Sequence, residues 1–119
     1  MALQTAGFHV ARLTLRDHGG TADLNEGLFH SAMTEEVVAA AEFIMNDFDC
    51  NTAGLVGFSM GGNFALRLAA QLPQLHALAI CPAISPQHTV EQIGNSIIYE
   101  RYFLGKWRGL WQQKQAAFP

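Results

Sequence analysis

The chain has 119 residues, which is enough for one domain with a hydrophobic core. Half of its residues are hydrophobic and only 14% are charged, a composition that excludes an intrinsically disordered chain. The net charge of −3 disfavours nucleic acid as a partner.

The first predicted strand is Phe8–Leu15 (FHVARLTL), an apolar stretch that the turn sequence RDHGG ends. A helix is predicted to follow a polar loop, with Thr34 as its N-cap and Glu35 and Glu36 in its first turn. The buried stripe of this helix is predicted at four positions with helical spacing: Val37, Ala41, Ile44 and Phe48.

Two further strands are predicted on either side of a second helix. The strands are the apolar runs Thr52–Phe58 and His76–Cys81, and the helix is Met60–Leu72, which Pro73 ends. Nearly continuous apolar strands that alternate with helices are typical of α/β proteins. The predicted fold class is therefore α/β, a parallel sheet with flanking helices that cover both of its faces.

Residues 89–119 are rich in aromatic side chains. Read as a helix, positions 99, 103, 107, 110 and 111 form one aromatic and apolar stripe. The stripe has two interpretations, a helix packed on the core or a lid over a substrate pocket. An exposed stripe of this kind would serve for association with another chain.

Cys50 and Cys81 are isolated in the sequence, without a CxxC pair or metal-ligand spacing. We therefore predict no metal and no cofactor, and two reduced thiols in the cytoplasm. The opening segment MALQTAGFHVARL lacks the basic and apolar regions of a signal peptide. No apolar run approaches the roughly 20 residues of a membrane span, so a soluble chain is expected.

The five residues from Gly57 to Gly61 (GFSMG) match the pattern G-x-S-x-G between a predicted strand and a predicted helix. In that context the pattern indicates a nucleophile elbow, a tight corner that raises a serine hydroxyl above the edge of the sheet. Glycines two residues before and two residues after Ser59 would remove Cβ atoms that otherwise collide. The Met60 backbone N–H would then point to where an oxyanion develops.

Two other interpretations of this turn remain open. It can be a glycine-rich strand–helix turn with a solvent-facing serine, or it can bind phosphate through helix N–H groups. Neither G-x-G-x-x-G nor G-x-x-x-x-G-K-[ST] occurs in the chain, which argues against nucleotide binding. The candidates for lining a site around Ser59 are Phe58, Gly61, His18 and His88. His18 has a plainer interpretation as well, a hydrogen bond to the backbone of its own turn.

Three segments, VARLTLRDHGGTADLNEGLFHS, GFSMGGNFALRLA and IIYERYFLGKWRGLWQQKQAAFP, together resemble the α/β-hydrolase superfamily. They are similar in particular to the branch of predicted esterases and hydrolases that includes the bacterial YheT-like proteins. The resemblance implies that Ser59 is the nucleophile and Met60 an oxyanion donor in the hydrolysis of a small ester or acyl substrate. It also implies a partial fold, with the family's strands four to six and the start of its cap. Residues 1–88 would be the core, and residues 89–119 a cap-like helical segment.

The sequence departs from the family in what accompanies the nucleophile. The family's triad continues from serine to an acid and then a histidine, which would lie beyond the cap. After Ser59 the chain has only His76 and His88, and the family's third strand has no counterpart in it. We therefore expect a central fragment of a hydrolase with low or no activity alone, unless His88 substitutes as the base.

The alternative function is that of a non-catalytic fragment. Exposed strand edges and the aromatic C-terminal segment would then drive homo-oligomerisation or pairing with a partner chain.

Overall fold

The structure is a computed structural model and describes residues 2–119. In chain order its elements are α1 (Ala2–Thr5), α2 (Thr34–Asp47), β1 (Ala53–Phe58), α3 (Met60–Gln71), β2 (Leu75–Ile80), α4 (Pro86–Gly94) and α5 (Ile97–Ala117). Two compact units share them. Residues up to Leu13 together with Ala32–Pro82 form the first unit, and Thr14–Ser31 together with Ala83–Pro119 form the second.

The first unit is built on a parallel strand pair joined by a helix. β1 and β2 are hydrogen-bonded in a register that pairs Ala53 with Leu75 and Phe58 with Ile80. The predicted α/β class is confirmed, and two of the three predicted strands, Thr52–Phe58 and His76–Cys81, are found within one residue of their expected bounds. Since parallel strands run in the same direction, the residues that follow β1 and β2 lie at one edge of the sheet.

One face of this sheet is covered and the other is open. α3 packs against both strands through Phe64, Ala65 and Leu68, and α2 packs against α3 rather than on the opposite sheet face. On that face Val56 and Leu78, which are paired in the register, are each 58% exposed. The prediction of a sheet covered on both faces is therefore wrong for the described residues, because α2 buries its apolar stripe on a helix.

α2 begins one residue away from its predicted cap. Met33 is the N-cap, and Thr34 is already the first helical residue, so the predicted cap is wrong. The Thr34 hydroxyl is buried without a hydrogen-bond partner. The buried stripe of α2 runs through Val37, Ala41 and Met45, whereas Phe48 is exposed.

Residues 8–15 form no strand, contrary to prediction. Phe8, Val10 and Leu13 are all exposed. A strand exists only where its backbone pairs with a neighbour, and among residues 2–119 the sheet consists of β1 and β2. An apolar, β-branched composition therefore did not suffice to make a strand here.

The second unit contains α4 and α5 and the loop Thr14–Ser31. α5 confirms that the aromatic segment is helical. Its stripe is only partly buried, since Trp107 and Trp111 are each at least half exposed. Within the part of the chain that the structure describes, no helix is both long enough and apolar enough to cross a membrane.

Candidate active site

Ser59 occupies the corner between β1 and α3. Its backbone adopts φ 51° and ψ −115°, a conformation that residues with a side chain rarely take. Hydrogen bonds hold it on both sides: its N–H donates to the Ile80 carbonyl at 3.0 Å, and its own carbonyl accepts from the Asn63 N–H at 3.2 Å. The strand and the helix therefore both constrain this unusual conformation.

The Ser59 hydroxyl is exposed and does not cap α3. Ser59 stands at the N-cap position, where a serine side chain ordinarily accepts a hydrogen bond from the first turn, but no such bond forms. At the same position of α4, Ser85 does accept one, from the His88 N–H. The strained backbone thus turns the Ser59 hydroxyl away from the usual role of a helix-capping serine.

The glycines around Ser59 serve different purposes. A Cβ atom on Gly57 would overlap the Gly61 carbonyl group and lie 2.7 Å from the Gly62 nitrogen, so only glycine fits at this position. A Cβ atom on Gly62 would approach Gly57 and Pro82 to about 3.1 Å. At Gly61 it would meet nothing within 4 Å. The steric reason expected for Gly61 is therefore wrong, and Gly62 is the other glycine at which a Cβ atom would be crowded.

Ser59 lies between the last residue of β1 and the first residues of α3. Met60 is the first residue of α3, so its backbone N–H has no acceptor inside the helix. Phe58 is 65% exposed and ends β1 on the open face of the sheet. Gly61 is the second residue of α3 and is half-buried. An exposed hydroxyl therefore lies beside the positive end of a helix.

Cys81 is a residue at this edge that the sequence reasoning missed. It follows β2 as Ser59 follows β1, and the pairing of Phe58 with Ile80 brings the two strand ends side by side. Like Ser59, Cys81 is exposed and has a positive φ, of 46°. The signal was present in the sequence, since the predicted parallel strands Thr52–Phe58 and His76–Cys81 end directly before Ser59 and at Cys81.

The first unit contains two histidines, His9 and His76. His9 stacks on Phe48 with 5.1 Å between ring centroids. His76 is the second residue of β2, at the end of the strand opposite Cys81. His76 and Cys81 are five positions apart, which corresponds to roughly 16 Å along a strand. His76 therefore cannot accept a proton from the Ser59 hydroxyl.

The other two predicted histidines belong to the second unit. His18 Nδ1 donates a hydrogen bond to the Arg16 carbonyl at 2.8 Å, which confirms the expected bond to the turn backbone. Because Nδ1 carries the proton of the neutral ring, Nε2 is left as the basic nitrogen. His88 is exposed and lies in the first turn of α4, where its backbone N–H donates a hydrogen bond to Ser85 Oγ at 3.4 Å.

Among residues 2–119 no group of three or more His, Cys, Asp or Glu side chains is arranged to hold a metal ion.

Comparison with protein families matches residues 18–118 to the family described as "Putative esterase". Comparison with curated proteins found no match, and comparison with solved structures found none either. The family match includes the GFSMGG corner, both strands and the helices that follow them. Since it covers most of the sequence, the chain belongs to this esterase family.

Proposed function

We propose that this protein is a serine esterase in which Ser59 is the nucleophile and the Met60 backbone N–H is one oxyanion donor. The observation that carries the proposal is the backbone of Ser59, held at φ 51° between a strand and a helix with its hydroxyl exposed and not used as a cap. Such strain persists only where the surrounding structure enforces it, and it is found preferentially at functional sites.

The proposed reaction has two steps. Ser59 Oγ attacks the carbonyl carbon of a small ester while a base takes its proton, and the resulting oxyanion lies near the Met60 N–H. The alcohol then leaves with a proton, and Ser59 carries the acyl group as an ester. Water attacks this acyl-serine in turn, releasing the carboxylic acid and restoring the hydroxyl.

We expect residues 1–119 alone to turn over slowly. His76 lies too far from Ser59 to act as its base. A serine that lacks its base keeps only the rate enhancement from oxyanion and binding contacts, roughly 10³–10⁴-fold over water. Phe58 and Gly61 are proposed to line the acyl side of the site. His18 and His88 are the proposed lining residues of the second unit, with His88 as the candidate substitute base.

The test is covalent labelling with a fluorophosphonate, followed by peptide mass spectrometry. The expected result is slow modification of Ser59, absent in a Ser59→Ala variant. Ser96→Ala is the matched control, because Ser96 also stands at an N-cap without a side-chain cap bond but has an ordinary extended backbone. Equal labelling of wild type and Ser59→Ala would refute Ser59 as the nucleophile.

The base is tested by the rate of the same labelling reaction. If His88 is the base, His88→Ala should slow modification of Ser59 by at least ~100-fold, the lower range for a general base. His18→Ala serves for comparison at the other proposed lining position. If His88→Ala labels as fast as wild type, His88 is not the base. The slow labelling of Ser59 would then be due to the lack of a base.

A second candidate function, self-association without catalysis, is favoured by the open face of the sheet. Val56, Phe58 and Leu78 expose apolar side chains side by side there, and both outer edges of the two-stranded sheet are unpaired among the described residues. We propose that a second copy of the chain, or a partner chain, covers this face. The aromatic stripe of α5 is the other proposed contact.

Light scattering over a concentration series tests the association. Wild type is expected to form dimers or larger assemblies, and Leu78→Lys on the open face should shift the chain to monomer. Leu66→Lys is the control, since Leu66 is an exposed leucine on α3 and lies outside the sheet. A compact monomer at every concentration would contradict this second candidate.

Three narrower assignments are part of the proposal. Membership of the YheT-like branch rests on the RDHG and GFSMGGN segments. A cytoplasmic location is supported by two free cysteines, Cys50 and Cys81, which suit a reducing compartment. The division into a core of residues 1–88 and a cap of residues 89–119 can be tested by expressing residues 1–88 alone and asking whether they fold.

A further inference from the structure

The second unit contains a groove that the proposed esterase reaction does not use. It has a volume of about 620 Å³ and lies between the last turns of α5 and the loop residues Glu26–Leu28. Its walls include Leu28, Trp111 and Phe118, with Glu26 and Lys114 as the charged residues. This volume lies within the range of small-molecule sites, roughly 300–1,000 Å³.

Lys114 has no capacity left for a ligand. It is 6% exposed, and its ammonium group donates hydrogen bonds to the carbonyls of Asn25 and Gly27 and lies within 3.4 Å of Asn25 Oδ1. Its charge is balanced by Asp17, whose side chain is fully buried and lies 2.8 Å away as an ion pair without hydrogen-bond alignment. An anion entering the groove would find this ammonium group already occupied.

Of the two charged residues that line the groove, Glu26 is the one without an ion pair. Its side chain is exposed, and no lysine or arginine among residues 2–119 forms an ion pair with it. The two carbonyls that Lys114 holds belong to the residues directly before and after Glu26. The backbone that carries the carboxylate is thus anchored to α5 beside the aromatic side chains.

The aromatic walls favour a cation as well. Trp111 lines the groove and is 53% exposed, and tryptophan is the aromatic residue that attracts cations most strongly. The Phe118 ring already lies 5.7 Å from the Lys114 ammonium. Trp111 is therefore the aromatic surface left for a ligand, and it lines the same groove as the Glu26 carboxylate.

We propose that this groove binds a small organic ammonium ion, with its cationic head between Trp111 and Glu26 and its apolar part against Leu28. The proposal does not depend on Ser59 or on esterase activity. An inorganic cation would gain little from Trp111 and Leu28, and a neutral apolar ligand would gain nothing from Glu26.

The test compares choline with 3,3-dimethylbutan-1-ol, which has the same shape without the charge. Both are titrated into the ¹⁵N-labelled full chain, and the indole N–H signals of Trp111 and Trp107 are followed by NMR. Trp107 lies on α5 but does not line the groove, so it is the internal reference. We expect a saturable shift of Trp111 alone, with choline binding about ten-fold more tightly than the alcohol.

Variants locate the site. Glu26→Gln should weaken choline binding several-fold, and Trp111→Leu should abolish it. Glu100→Gln, which removes an exposed carboxylate of α5 outside the groove, and Trp107→Leu should leave it unchanged. Circular dichroism of each variant checks that it remains folded.

Three outcomes would overturn the proposal. Equal affinity for choline and the alcohol would show that the groove binds only apolar groups. Tighter binding of acetate than of choline would show that it prefers anions. Absence of a saturable Trp111 shift in the folded protein would remove the site altogether.

Discussion

Gly57 and Gly61 flank Ser59 symmetrically in the sequence, yet the structure gives them different roles. At Gly57 a side chain would collide with the backbone at the start of α3, whereas at Gly61 it would project into open space. The pattern G-x-S-x-G therefore locates the corner without revealing which glycine the packing needs. Spatial distances between backbone atoms decide that, and Gly62 proves to be the second constrained position.

Alanine substitutions should separate these two roles. Gly57→Ala is expected to destabilise the protein by about 3 kcal/mol or more, because the new Cβ overlaps backbone that cannot move independently. Gly61→Ala should stabilise it by about 0.5–1 kcal/mol, since alanine has the higher helix propensity and meets no neighbour. Urea denaturation measures both changes. Equal destabilisation by the two variants would contradict the assignment.

Thr34 offers a second prediction at this scale. Its buried hydroxyl has no partner, so Thr34→Val, which keeps the shape and removes the polar atom, should stabilise the protein by about 1 kcal/mol. Thr89→Val is the control, because Thr89 Oγ1 donates to the Ser85 carbonyl at 2.9 Å and should lose that contribution. Thermal unfolding measures the melting temperatures of both variants. A lower melting temperature for Thr34→Val than for wild type would contradict the prediction.

At the scale of elements, the strand–helix–strand unit determines which side chains share the edge at Ser59. The register of β1 and β2 sets Cys81 beside Ser59, and the direction of both strands sets His76 at the far end. Neither relation depends on the identity of the side chains themselves. A neighbour of the nucleophile is therefore specified by pairing, which acts between segments separated by a whole helix.

A disulfide can test this register directly. In a Ser59→Cys/Cys50→Ser variant, the new thiol should form a disulfide with Cys81 on mild oxidation. Neighbouring strands lie roughly 4.8 Å apart, within the Cα separations that a disulfide spans. Thr52→Cys/Cys50→Ser places the thiol before β1, at the opposite end, and should remain reduced. Thiol titration and peptide mapping measure disulfide formation in both variants. If the introduced thiol at position 59 stays reduced under these conditions, the register is wrong.

On the scale of the whole molecule, the two units are stabilised by different means. The first has a small apolar core, in which Phe64 and Leu68 are each 2% exposed and Leu75 is 4% exposed. The second buries Ala22 and Ala83, but its most buried large side chain is Lys114, joined to Asp17. A unit with so few buried apolar groups depends on its polar contacts for a defined structure.

Removing that lysine should therefore be costly. Lys114→Met leaves the Asp17 carboxylate buried and uncompensated, and we expect the second unit to lose about 3–5 kcal/mol of stability. Lys106→Met is the matched control on the same helix, because Lys106 is exposed and should change stability by less than about 1 kcal/mol. Hydrogen exchange resolved by residue would locate the loss. Unchanged protection of α5 in Lys114→Met would contradict this role.

The core elements were predictable because their signals are local. Helical spacing of apolar residues, the Pro73 stop and the glycines of GFSMGG lie within a few residues of what they specify. Other local signals failed, among them two that concern element boundaries. Phe8–Leu15 has strand-like composition but no pairing partner among the described residues, and Thr34 looks like a cap but lies one residue inside the helix. Each failure came from a contact or boundary that composition does not encode.

The amino-acid sequence by itself determined the α/β class, the strand–helix corner at Ser59 and the esterase resemblance, since each follows from short-range pattern and steric need. Only the tertiary structure decided that one face of the sheet stays open and that Cys81 lies next to Ser59. It also decided that the Lys114 ammonium group pairs with Asp17 and donates hydrogen bonds to the carbonyls on either side of Glu26. These relations join residues far apart in the chain. They depend on which surfaces pack and which backbone groups pair, and that is settled only when the whole chain has folded.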